Sequence, residues 1–319
     1  MTAPSNPFTS LFVHPVEFQD ALSNTQATAR IIPVAAGRTA TLASYETRHI
    51  PNSMYVRRSS PKNTFTVPLT NSSFFNMDSI SDTSSKYPVM MPTAAHFANC
   101  MSDLGIQPQD IIVVYDTYEI GLYSSPRVAW TFLHFGYKNV HVLNNFPAYI
   151  SHNGPLASGP LRGLSSVLSD SATCSLSQNI DPEEIISYEE LRDVILAKPS
   201  EKSYQILDAR PFNQFSGLDK AAYASLRPGH MPSALSIPLA YILDGDKRLL
   251  PEDELRALFT QAGVDEHMPA VLTCNSGVTA SALGLALRVC GYEVKMRLYD
   301  GSWMEWADRV TEDGLIVTN

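Results

Sequence analysis

Cys274 is the residue in this sequence with the clearest capacity for chemistry. The run Val271-Leu272-Thr273-Cys274-Asn275-Ser276-Gly277-Val278-Thr279-Ala280 predicts a buried strand ending at the cysteine, a short glycine-containing turn and the start of a helix. That order sets the sulfur over a helix N-terminus, ringed by backbone N–H groups, where anionic sulfur is stabilised. A thiolate held there is a nucleophile, and the same donors would hold a persulfide anion formed on it. The loop alone also reads as a small apolar residue closing a strand. Cys290 falls in an apolar helical face, Cys100 on a helix and Cys174 in a polar stretch, and these three read as structural. A phosphatase-type loop needs an arginine that grips phosphoryl oxygens bidentately. Here Ala280 stands six positions after the cysteine and the next arginine is Arg288, so a phosphate ester is a poor substrate. Sulfane sulfur needs no such clamp.

The elements that must position this loop occur twice. The first copy predicts a helix from Pro15, a strand at Ile31–Val34, a helix over Thr93–Leu104, a strand at Ile111–Tyr115, a helix over Pro126–Phe135 and a strand at Val140–Leu143. The second opens on Ser187-Tyr188-Glu189-Glu190, a helix capping box. It continues with strand Gln205–Asp208, helix Pro251–Gln261 with Pro in its first position, strand Ala270–Thr273, helix Thr279–Cys290 and strand Met296–Tyr299. Gly105 and Gly263, and Asp116 and Cys274, are both 158 positions apart. Alternating strands and helices predict an α/β protein of two domains, each a mainly parallel sheet flanked by helices.

The boundaries follow from composition. The first domain covers 9–153, a Ser/Gly/Pro-rich linker 154–182 and the second domain 183–319. His49 to Gly105 spans 56 positions but His230 to Gly263 only 33. The surplus falls at about 55–73, read as an inserted loop or as a mis-assigned exon boundary. A chain of 319 residues with 44% hydrophobic and 17% charged residues can bury two cores. The formal net charge of -9 argues against direct binding of nucleic acid or of an anionic membrane surface. No apolar run is long enough for a membrane span, and Met1–Leu11 resembles neither a signal nor a transit peptide. Four scattered cysteines suit a reducing compartment and lack metal-ligand spacing, so no metal and no cofactor is expected.

Cys274–Ala280 resembles the active loop of the two-domain rhodanese-type sulfurtransferases, the 3-mercaptopyruvate/thiosulfate family. Tyr299-Asp300-Gly301-Ser302-Trp303-Met304-Glu305-Trp306 resembles their C-terminal signature and Tyr45-Glu46-Thr47-Arg48-His49-Ile50-Pro51 their N-terminal one. Gly121–Arg127 and Asp208-Ala209-Arg210 match as well. The resemblance, from about Thr9 to about Arg309, implies two tandem rhodanese-like domains, the second catalytic.

It further implies a sulfane sulfur carried as a Cys274 persulfide, in a loop completed by Asn275, Gly277, Val278 and Thr279. The neutral Asn275-Ser276 pair resembles the mercaptopyruvate subtype, with Ser276 assisting proton transfer. The acceptor would be a thiol, thioredoxin, cyanide or a protein. Thiosulfate as donor, a persulfide relay towards tRNA thiolation fed by a protein donor, and a non-catalytic binding module are the alternatives. His49 would face the cysteine across the domain interface. The arginine that usually holds the donor carboxylate is replaced by Gln214, with Lys220 or Arg227 as substitutes. Ser124 and Arg127 are the first domain's other candidates. Asp116, in the register of the nucleophile, implies that this domain is catalytically inert. Asp208 and Arg210 are read as a structural pair, and Trp303 and Trp306 as core. The expected location is cytoplasmic, with the mitochondrion as a second compartment.

Overall fold

The computed structural model describes residues 6–24, 29–51, 73–160, 180–197, 203–219 and 226–318. The expected insertion lies outside these residues except for Ser73. The first sheet contains β1 (Phe12–Val13), β2 (Ile31–Gly37), β3 (Ser73–Asn76), β4 (Ile111–Tyr115) and β5 (Val140–Leu143), in the order β1-β5-β4-β2-β3. The second contains β6 (Ile185–Ile186), β7 (Gln205–Asp208), β8 (Ala234–Ser236), β9 (Ala270–Thr273) and β10 (Met296–Tyr299), in the order β6-β10-β9-β7-β8. All the pairings are parallel. The chain therefore lays down the same α/β unit twice, and β4 and β9 are the central strands. Both are continuous apolar runs, Ile-Ile-Val-Val-Tyr and Ala-Val-Leu-Thr, buried throughout, as parallel strands covered on two faces must be.

The helices are α1 (Pro15–Ser23), α2 (Leu42–Thr47), α3 (Ala94–Leu104), α4 (Ser125–His134), α5 (Phe146–Ser151), α6 (Tyr188–Leu196), α7 (Phe212–Ser216), α8 (Glu252–Gln261), α9 (Val278–Val289) and α10 (Ser302–Arg309). The expected capping box at α6 forms: the Ser187 hydroxyl accepts from the Glu190 amide at 3.2 Å, and the Ser187 amide donates to the Glu190 carboxylate at 3.0 Å. Pro251 precedes α8 as its cap rather than opening it, because its ψ of 153° is extended. The short strands β1, β3, β6 and β8, which the sequence reading had left out, lie at or beside sheet edges. Two of them are only two residues long, and the others include serine or asparagine, so none forms a continuous apolar run.

One hydrophobic core runs through both units, from Val34 and Phe75 through Val128 and Phe132 to Leu272 and Leu283. Helices α4 and α9 carry it across the boundary, packed on one another and buried on nearly every side. Helix α9 reaches β9 closely because position 284 is glycine. A Cβ there would come within 2.5 Å of a Leu272 methyl. Residues 154–160, placed in the linker by composition, return along the first domain: His49 and Ala157 form an antiparallel bridge, and the Gly159 amide donates to the Glu46 carbonyl. Residues 161–179 lie outside those described.

Candidate active site

Connections leave β7 and β9 towards opposite edges of the second sheet, and such a switch point is where open α/β sheets place ligands. Cys274 sits there, one residue beyond β9 and four before α9. Its side chain, 2% exposed, lines a cavity of about 480 Å³. Asn275, Ser276, Val278 and Thr279 form the same wall, and Ala209, Pro211, Gln214 and Leu239 continue it. Arg38, Met77, Val89 and Tyr123 close the cavity from the first domain.

The loop is held by its backbone. The first turn of α10 takes two of its carbonyls, Trp303 N–H donating to Cys274 at 2.9 Å and Met304 N–H to Asn275 at 3.1 Å. The Ser302 hydroxyl accepts from the amides of Cys274 (3.2 Å) and Gly277 (3.0 Å) and donates to the Tyr299 carbonyl (2.8 Å). Ser302 holds a left-handed φ of 50°, a conformation a serine keeps only where its contacts dictate it. Gly277 has φ 76°, and a Cβ there would lie 3.0 Å from Arg127 Nη1. Helix α9 begins four residues after Cys274, and its first-turn amides have no intrahelical acceptor.

The first domain shows what such a loop holds. The carboxylate of Asp116, just beyond β4, accepts from the amides of Tyr123 (2.9 Å), Ser124 (2.7 Å) and Ser125 (2.9 Å), and from the Ser125 hydroxyl. The Asp116 carboxyl group thus occupies the cradle at the start of α4. Burial pushes the Asp116 carboxyl up to about 6, the hydrogen bonds partly opposing it. An acid raised above its unfolded value of 3.8 makes the fold lose stability as pH climbs between those two values. Asp116→Asn is therefore expected to gain on the native protein by up to about 3 kcal/mol between pH 4 and pH 8, read by urea denaturation at both. A pH-independent difference would contradict this account.

Several expected site residues lie elsewhere. Arg227 does not face the cavity; its guanidinium caps α10 by donating to the carbonyls of Ala307 and Val310, and its own carbonyl accepts from the Trp303 indole. Arg127 lies beneath the loop rather than in the cavity wall. It is buried and donates to Asp300 at 2.6 Å and to the Val89 carbonyl at 2.9 Å. Asp300 also accepts from the Met91 amide, so the Tyr299–Trp306 signature ties the domains together beside the Cys274 loop. Lys220 lies outside the described residues.

His49 is also displaced from its expected place. It is fully buried, its Nδ1 is 2.9 Å from the Tyr45 carbonyl, and it is absent from the described lining of the Cys274 cavity. His230, its counterpart in the second domain, is held similarly, by a backbone bridge to Val317 and with Nδ1 2.8 Å from the Phe215 carbonyl. Both histidines pin the tail of their domain, and the His49 Nε2 is buried with no partner among the described residues.

Gln214 does line the cavity, and its carbonyl oxygen accepts from Asn275 at 3.0 Å. Asp208 and Arg210 form the expected buried pair at 2.6 Å, and Trp303 and Trp306 are core. Sequence reasoning missed Arg38 and Ser302. Ser302 stood inside a quoted signature; nothing near Arg38 hinted at the site. Cys100 and Cys290 are pushed up to about 11 by burial, and remain thiols at neutral pH.

The rhodanese-like domain family matches residues 191–309, which hold this loop and the α10 signature. Mouse 3-mercaptopyruvate sulfurtransferase is 34% identical over 244 residues, 76% of this chain and 78% of its own. The chain belongs to the rhodanese sulfurtransferases. Yeast (Saccharomyces cerevisiae) thiosulfate sulfurtransferase TUM1 is 35% identical, over 74% of this chain and 79% of its own. The crystal structure of the yeast Tum1 protein matches with a TM-score of 0.80 at 29% identity, covering 97% of this chain and 98% of that one. The duplicated sheets are thus the tandem rhodanese fold, and no described helix is long and apolar enough to cross a membrane.

Proposed function

We propose that this rhodanese moves sulfane sulfur from 3-mercaptopyruvate, through a Cys274 persulfide, to a thiol, thioredoxin, cyanide or a protein acceptor. The observation that carries this reading is the neutral Asn275-Ser276 pair beside Cys274 on the cavity wall. In the first half-reaction the Cys274 thiolate attacks the donor sulfur. The carbon–sulfur bond breaks with its electron pair on carbon, where the adjacent carbonyl stabilises it as an enolate. The thiol proton, relayed by Ser276, ends on that carbon and pyruvate leaves. In the second half the acceptor nucleophile takes the outer sulfur and Cys274 leaves as thiolate.

Thiosulfate is the second reading. Relatives named for either donor resemble the chain about equally, and the cavity contains a cation in Arg38. A protein persulfide donor, as in a relay towards tRNA thiolation, is a third. Either a cytoplasmic or a mitochondrial setting suits these reactions. The test is intact mass after incubation with each small donor. A gain of one sulfur from 3-mercaptopyruvate at lower concentration than from thiosulfate is expected; the reverse order establishes the thiosulfate subtype. No gain from either points to a protein donor or to binding without catalysis.

A further inference from the structure

We infer that Arg38, supplied by the first domain, binds the anionic group of the sulfur donor while Cys274 takes its sulfur. This rests on the small-donor reading above and adds the residue that selects the donor's charge. Besides Cys274, the second domain's polar groups in the cavity are Gln214, Asn275, Ser276 and Thr279, all neutral, and the first two are hydrogen-bonded to each other. Arg38 is the one cation among the described residues lining the cavity. An anion that leaves water for a cavity walled also by Met77, Val89 and Leu239 loses solvation that only an opposite charge or several donors restore.

The geometry of Arg38 suits that task. Its Nε donates to Asp78 at 2.6 Å, and Asp78 is itself held by the Thr39 amide at 2.9 Å. Among the described residues neither Nη group has a partner. The guanidinium is therefore oriented through one nitrogen while two remain, the arrangement that grips a carboxylate bidentately. Its side chain is 48% exposed, which leaves it open to an incoming solute. The repeat accounts for its place. Ile32 pairs with Ile112 as Gln205 pairs with Ala270, so Arg38 occupies the register of Pro211, which lines the same cavity from the second domain. The equivalent ends of β2 and β7 thus meet across the cavity, one bringing a charge and the other a neutral wall.

The test loads the full chain with 3-mercaptopyruvate and with its uncharged methyl ester, counting Cys274 persulfide by intact mass over time. The acid-to-ester ratio of loading efficiencies is expected to fall about 10- to 100-fold in Arg38→Gln. Arg38→Lys keeps the charge without the fork, and Asp78→Asn removes the orienting partner. Both should give smaller falls, and they keep the test standing where glutamine impairs folding. An unchanged ratio in all three variants overturns the assignment. Wild-type protein that loads from neither compound overturns the small-donor reading itself, and the role of Arg38 falls with it.

Discussion

Cys274→Ser protein is expected to gain no sulfur from any donor and to lose turnover by at least about 10³-fold. The hydroxyl fits the space of the thiol, and the loop is fixed by backbone bonds to Ser302, Trp303 and Met304 rather than by the sulfur. Fold and melting temperature should therefore hardly change. Cys100 and Cys290 are buried thiols absent from the described cavity lining, and neither is expected to take over. The check combines intact mass with a turnover assay using cyanide as acceptor. A persulfide mass retained in the serine variant would move the chemistry to another cysteine and overturn the site.

Arg127→Met is expected to destabilise the protein by about 3–5 kcal/mol, read by urea denaturation. The methionine removes a charge whose partner, Asp300, stays buried with the Met91 amide as its other donor. An uncompensated buried carboxylate costs far more than the net worth of the pair. Replacing both partners, Arg127→Met with Asp300→Leu, should therefore cost less than the single change. A loss below about 1 kcal/mol in Arg127→Met would show that water reaches Asp300 and that the pair is dispensable. Because Asp300 lies two residues before Ser302, the single variant should also slow persulfide formation while leaving Cys274 in place.

The repeat and the reactive loop were legible because both are local. The apolar runs of β2, β4, β7 and β9 and the periodic helices between them identify themselves within a few residues, and the Cys274 turn is a contiguous strand–loop–helix. What was illegible was set by contacts between distant segments. Arg38 reaches the cavity because two sheets present equivalent strand ends to each other, which no local pattern records. Arg227 looked available for a donor until its guanidinium was found spent on the end of α10. His49 sat in a pattern compatible with two roles. His230, bridged to its own domain's tail, shares the structural one. The loss of an arginine at Gln214 was visible as a deficit, but its remedy lay about 175 positions away in the other domain.

The continuous core through α4 and α9, with the Arg127–Asp300 pair inside it, governs how material passes through the enzyme. Swinging the domains apart would expose the apolar faces of both helices and strand two charges, so the two halves behave as fixed jaws. In the proposed reaction donor and acceptor meet Cys274 in turn, in the cavity that Arg38 borders. A recipient, small thiol or protein, must bring its nucleophile to walls that are already in place. Recognition in such a molecule rests on a surface present before the partner arrives rather than on any closing movement.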